Sequence, residues 1–142
     1  QYLSRYTFFT DPTYPETNLV VVRVADSTLG FPDVTLDCAG TLSGWTDVGT
    51  SGKYQFTRVD LSTGNFQGVG KCDNGVHVAT ASFPGDAGTA TPKFGLTIWG
   101  WGSGATYEPD VEDNPKFTRW VSYGYPAGAN IAQLNAVVMP AK

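Results

Sequence analysis

Glycine and proline interrupt this chain every few residues, and the segments between them are rich in β-branched and aromatic side chains. Seventeen glycines and nine prolines break helices and make turns, while nineteen aromatic residues favour strands. A helical bundle is excluded on that pattern, and an apolar content of 41% excludes disorder. The 142 residues suffice for one ordinary domain, 1–142, with no room for a second core. The start Gln1-Tyr2-Leu3, without methionine, reads as a mature or excised piece of a larger secreted or surface protein.

Charge and rare residues narrow the chemistry. The net charge is −4, which argues against a nucleic-acid partner. No run of about 18 apolar residues occurs, so no membrane insertion is expected. His77 is the single histidine, so this chain holds no His-rich metal site. Cys38 and Cys72 match no zinc spacing. One disulfide is the simplest reading in an exported protein, worth roughly 3–4 kcal/mol by loop closure. The alternative is two thiols acting as small core residues in a cytosolic protein. The secreted-looking composition favours the disulfide and an extracellular or cell-surface location.

Short strands follow one another along the chain. Tyr6–Phe9 is an aromatic strand, broken by Asp11-Pro12-Thr13-Tyr14-Pro15. Leu19–Val24 is a continuous β-branched run and reads as a strand buried on both faces. Val34, Leu36 and Cys38 alternate with polar residues, and Thr41–Val48 carries Trp45 at its middle. Tyr54 and Phe56 lie on one parity and Val59 and Leu61 on the other. A bulge near Thr57 or Arg58 would bring all four into the core. Phe66–Cys72 reads as irregular, Asn74-Gly75 as a tight hairpin and Val76–Ala81 as a strand. Phe94, Leu96 and Ile98 share one face of a strand, with Trp99 and Trp101 on the other. Phe117–Tyr123 is a strand containing Trp120. In the tail Ile131, Leu134 and Val138 fit helical spacing, but Val137-Val138-Met139-Pro140 fits a last strand, which the β-rich chain before it favours. The expectation is an all-β, antiparallel two-sheet β-sandwich, jelly-roll-like, of about nine short strands with one disulfide. An immunoglobulin domain is disfavoured, because Cys72 comes too early and no tyrosine stands two positions before it.

Three residue groups could carry function. His77 sits among valines without a hydrolase signature, and its plain reading is a surface or half-buried strand histidine. Glu108, Asp110, Glu112 and Asp113 fall in a loop where carboxylates could hold calcium, or could simply be solvated. No other cofactor is implied. Trp99, Trp101 and Trp120, with Tyr107, Tyr123 and Tyr125, gather in the last third, and outward-facing tryptophans stack on sugars or anchor protein partners. The plainer reading, and the favoured one, is that the second sheet covers them as core.

Four segments together resemble a known family: Asp37–Trp45, Lys71–Gly75, Phe94-Gly95-Leu96-Thr97-Ile98-Trp99-Gly100-Trp101-Gly102, and Trp120-Val121-Ser122-Tyr123-Gly124-Tyr125-Pro126-Ala127-Gly128. This combination resembles the N-terminal-type domain of IgGFc-binding proteins, found in bacteria in large secreted or surface-attached proteins, notably of myxobacteria and relatives. The resemblance implies a noncatalytic, extracellular β-rich module for adhesion or ligand recognition, binding carbohydrate or a surface protein. It carries over no catalytic residue, and it does not imply immunoglobulin binding. The expected contact surface is the Trp99/Trp101 face with Tyr107, the 103–115 loop and Trp120. The rival readings are a structural spacer and a cell-wall polymer hydrolase.

Overall fold

The computed structural model describes residues 2–64, 66–85, 90–102 and 120–128. Ten strands occur there and no helix: β1 (Arg5–Phe9), β2 (Glu16–Val24), β3 (Asp33–Leu36), β4 (Gly40–Thr41), β5 (Thr46–Asp47), β6 (Tyr54–Thr63), β7 (Gln67–Gly68), β8 (Val76–Ser82), β9 (Lys93–Gly102) and β10 (Val121–Pro126). They form a four-stranded sheet in the order β1-β8-β3-β4 and a six-stranded sheet in the order β10-β9-β2-β6-β5, with β7 on β6. Every pairing is antiparallel.

The core is a single apolar cluster drawn from both sheets. Tyr6, Phe8, Val34, Leu36 and Ala79 come from the smaller sheet, and Leu19, Val21, Leu61, Phe94, Leu96 and Ile98 from the larger. The side-chain period of two turns alternate residues inward on every strand. β9 shows it most clearly, with Phe94, Leu96 and Ile98 buried and Trp101 exposed. The molecule is thus the expected antiparallel sandwich, stapled by Cys38–Cys72. Cys38 follows β3 of the smaller sheet and Cys72 follows β7 of the larger, so the disulfide ties segments leaving different sheets.

Several local expectations need correction. β2 is covered on one face only: Leu19 and Val21 are buried, whereas Val20, Val22 and Val24 on the outer face are half-buried. Thr41–Val48 is not one strand. β4 belongs to one sheet and β5 to the other, so the chain crosses between layers there. Trp45 sits in that crossing, with its indole N–H donating to the Leu42 carbonyl and its ring 4.1 Å from the Arg23 guanidinium. The β6 bulge lies at Leu61, because Thr17 faces Ser62 while Asn18 faces Asp60. Val59 and Leu61 therefore face the core, and Tyr54 and Phe56 stay on the outer face.

Asn74-Gly75 closes no hairpin, since β7 pairs with β6 and β8 with β1 and β3. Instead the Gly75 N–H donates to Thr10 Oγ1, and its carbonyl accepts from the Thr10 N–H, which fastens this turn to the end of β1. β10 continues to Pro126, past the expected end at Tyr123. Residues 117–119 and the expected final strand lie outside the described residues.

Candidate functional site

The WGWG and YGY segments are explained by β9 and β10 pairing with each other. Trp99 lies opposite Gly124, and Gly100 lies opposite Tyr123. A Cβ on Gly124 would meet the Trp99 ring at 2.7 Å, and one on Gly100 would meet the Tyr123 ring at 2.0 Å. Each glycine therefore leaves the space into which the aromatic of the other strand lies flat. The two pairs use opposite faces: the tryptophans are outside and the tyrosines inside.

On the outer face Trp99 and Trp101 stack, with centroids 5.8 Å apart and planes 13° from parallel. Trp101 is 40% exposed. Trp120 precedes β10 with a φ of 58° and is 79% exposed. Asn18 lies opposite Trp99 on β2, and its buried Oδ1 has no hydrogen-bond partner among the described residues. Tyr107 and the acidic residues Glu108, Asp110, Glu112 and Asp113 lie outside the described residues, as does the rest of the 103–115 loop.

The inner face of β10 holds Tyr123 and Tyr125, which the sequence groups with the tryptophans but which face the other way and meet partners from the start of the chain. Tyr123 and Tyr125 stack at 6.0 Å, and Tyr14 meets Tyr123 edge-on at 4.6 Å and 80°. Together with Phe9 and Asp11 they line a cleft of about 310 Å³ where β10 meets the end of β1. The Tyr125 hydroxyl donates to the Phe9 carbonyl, and the Tyr123 hydroxyl accepts from the Asp11 N–H at 3.2 Å. Burial pushes both phenols up from the ordinary tyrosine range, so they stay neutral. The alternation Tyr123-Gly124-Tyr125 was the available signal. Its partners, more than a hundred residues away, were not readable locally.

His77 is buried, at 7% exposure, beside Phe8. Its Nδ1 lies 3.1 Å from Asp37 Oδ1 and its Nε2 2.7 Å from the Asp73 carbonyl. Both ring nitrogens are thus engaged, and neither addresses a nucleophile. Asp37 precedes Cys38 and Asp73 follows Cys72, so the imidazole binds the sequence neighbours of both halves of the disulfide. Asp37, Cys38 and His77 place donor atoms within 4.8 Å of one another, but the Cys38 sulfur is bonded to Cys72 and only two donors remain for a metal.

Burial works to raise the Asp37 carboxyl. Hydrogen bonds from the Val78 N–H, the His77 ring and the Cys38 N–H outweigh it and hold the group below the usual carboxylate range. A depressed carboxylate contributes stability that is full above its unfolded value of about 4 and is lost as pH falls through the folded value. Urea denaturation of Asp37→Asn across pH 2–6 should give a flatter stability profile below about pH 4 than the parent. An unchanged slope would remove Asp37 from the acid response.

The fold is thus a two-layer antiparallel sandwich with an exposed aromatic face, and its one histidine is engaged at both ring nitrogens. The family model described as IgGFc binding protein matches residues 1–100, and the chain belongs to that family. The match takes in Asp37–Trp45, Lys71–Gly75 and most of β9, and ends before β10. No curated protein and no solved structure gives a match.

Proposed function

We propose that this domain is a noncatalytic extracellular recognition module that binds a surface protein through the outer face around Trp99, Trp101 and Trp120. The observation that carries the reading is the stacked tryptophan pair, open to solvent at Trp101, on a sheet face that the second layer leaves uncovered. Large rigid aromatics at the centre of a contact supply much of the affinity of protein interfaces. Family membership supports a binding role, and the disulfide fits an oxidising, extracellular setting. The exposure of Trp101 and Trp120 weighs against a plain spacer, and the engaged nitrogens of His77 weigh against a hydrolase.

The test is a binding screen of the labelled domain against surface proteins, immunoglobulin Fc among them, beside a glycan array. Trp101→Ala should weaken a selective protein hit at least tenfold and leave the melting temperature in place. Unfolding of that variant would instead show the residue to be structural. Hits confined to the array would replace the protein partner with a carbohydrate. Repeating the screen with calcium and with chelator tests whether Glu108, Asp110, Glu112 and Asp113 contribute.

A further inference from the structure

We propose that the tyrosine cleft between the end of β1 and β10 binds an alkylated ammonium group. Its walls are the rings of Tyr14, Tyr123 and Tyr125, and Phe9 and Asp11 complete its lining. Tyr14 stands at 80° to Tyr123, so the rings meet at a corner rather than in one plane. A corner of aromatic faces suits a rounded cation, which draws on the negative ring faces from two directions.

The polar ends of two of these tyrosines are already used. The Tyr125 hydroxyl donates to the Phe9 carbonyl and the Tyr123 hydroxyl accepts from the Asp11 backbone. What they present to the cleft is ring surface, which recognises a cation without needing a hydrogen bond from it. Asp11 supplies the complementary charge. Its Oδ1 is held by the Thr13 N–H at 2.9 Å and the Thr13 hydroxyl at 2.7 Å, which fixes the carboxylate at the mouth of the turn. Asp11 stands on the cleft lining, its charge close enough to bear on the Tyr123 phenol. A volume of about 310 Å³ admits a trimethylammonium group with its first methylenes. The cleft opens at the junction of the two sheets, on the opposite face of β10 from the tryptophans, so it is a second site and not an extension of the first.

The test is a titration of the full chain, followed through the ring resonances of its tyrosines. The probes are choline, its neutral isostere 3,3-dimethylbutan-1-ol and a peptide containing trimethyllysine. Choline should bind saturably at about millimolar concentration, and the isostere at least tenfold more weakly, since only the cation interacts with the ring faces and Asp11. Tyr14→Ala should weaken choline roughly tenfold, and Asp11→Asn, which keeps the acceptor for Thr13, roughly threefold or more. If Tyr14→Ala does not fold, Asp11→Asn carries the comparison. Trp101→Ala should bind choline as the parent does, even where it has lost the protein partner. Tighter binding of the peptide assigns the cation to a protein side chain and tighter binding of choline to a free headgroup, and both support the site. Equal binding of choline and its isostere, an absence of saturable shifts, or parental affinity in both variants would overturn it.

Discussion

Alanine at Gly100 should destabilise the domain by about 3 kcal/mol, near the upper end for overpacking a core. The new Cβ would lie 2.0 Å from the Tyr123 ring. That ring cannot step aside easily, because Tyr14 closes on it edge-on, Tyr125 stacks on it and its hydroxyl is tied to the Asp11 N–H. Gly100 does not have a positive φ, so an L-residue suits the backbone and the whole cost is steric. Gly124→Ala is the informative comparison. It meets Trp99 at 2.7 Å on the open face, where the indole can tilt outward, and about 1 kcal/mol is expected. Denaturant titration of both variants checks the order. In a Tyr123→Ala background the Gly100→Ala change should become nearly neutral. Equal costs for the two glycines would mean that the Tyr123 ring is as free to move as the Trp99 ring.

Removing the disulfide should cost about 4 kcal/mol, because Cys38 and Cys72 close a loop spanning 34 positions. The double variant Cys38→Ala/Cys72→Ala should nevertheless fold to the same structure. His77 still draws Asp37 and Asp73 to one point, and β3 and β6 keep their places through pairing and the shared core. Chemical denaturation of parent and variant measures the difference. Near-identical stabilities would show that the unfolded chain is already restricted without the bond. Adding His77→Gln to the cysteine variant should then loosen the segment around Asp37 and Asp73, visible as faster amide exchange there.

How much of this was readable in the sequence follows from the range of the interactions involved. Alternation in Phe94–Trp101 assigned both faces of β9 without help, since a strand sorts its side chains locally. Sheet membership is not local. Thr41–Val48 has a strand's composition throughout, yet the chain crosses layers inside it, and only the positions of β3 and β6 decide that. The β6 bulge falls at Leu61 and not near Thr57 or Arg58, because Tyr54 and Phe56 need no burial: one face of the larger sheet is open. Asn74-Gly75 carried a genuine turn signal, but the strands on either side of it find other partners. That Trp99 and Trp101 share the other face of β9 was legible for the same reason, but not that this face is open, since a covering layer was the favoured reading. The tyrosine cleft was not, because residues 9–14 and 123–125 meet only once both sheets are built. The expected calcium ligands and Tyr107 lie outside the described residues.

The order of strands in the larger sheet bears on how the chain matures as it is made. β2, the most continuous apolar run, pairs on one side with β6 and on the other with β9. The first neighbour is available once residue 63 has emerged, the second only after residue 102. Between those moments β2 has one open edge, and its valines lack the flank that β9 later supplies. β1 waits in the same way for β8. Long-range pairing of this kind slows folding and prolongs the exposure of sticky edges during synthesis and export. The covalent tie between Cys38 and Cys72 can form before β9 and β10 exist as chain. It therefore closes the first half of the sandwich while the second half is still being delivered.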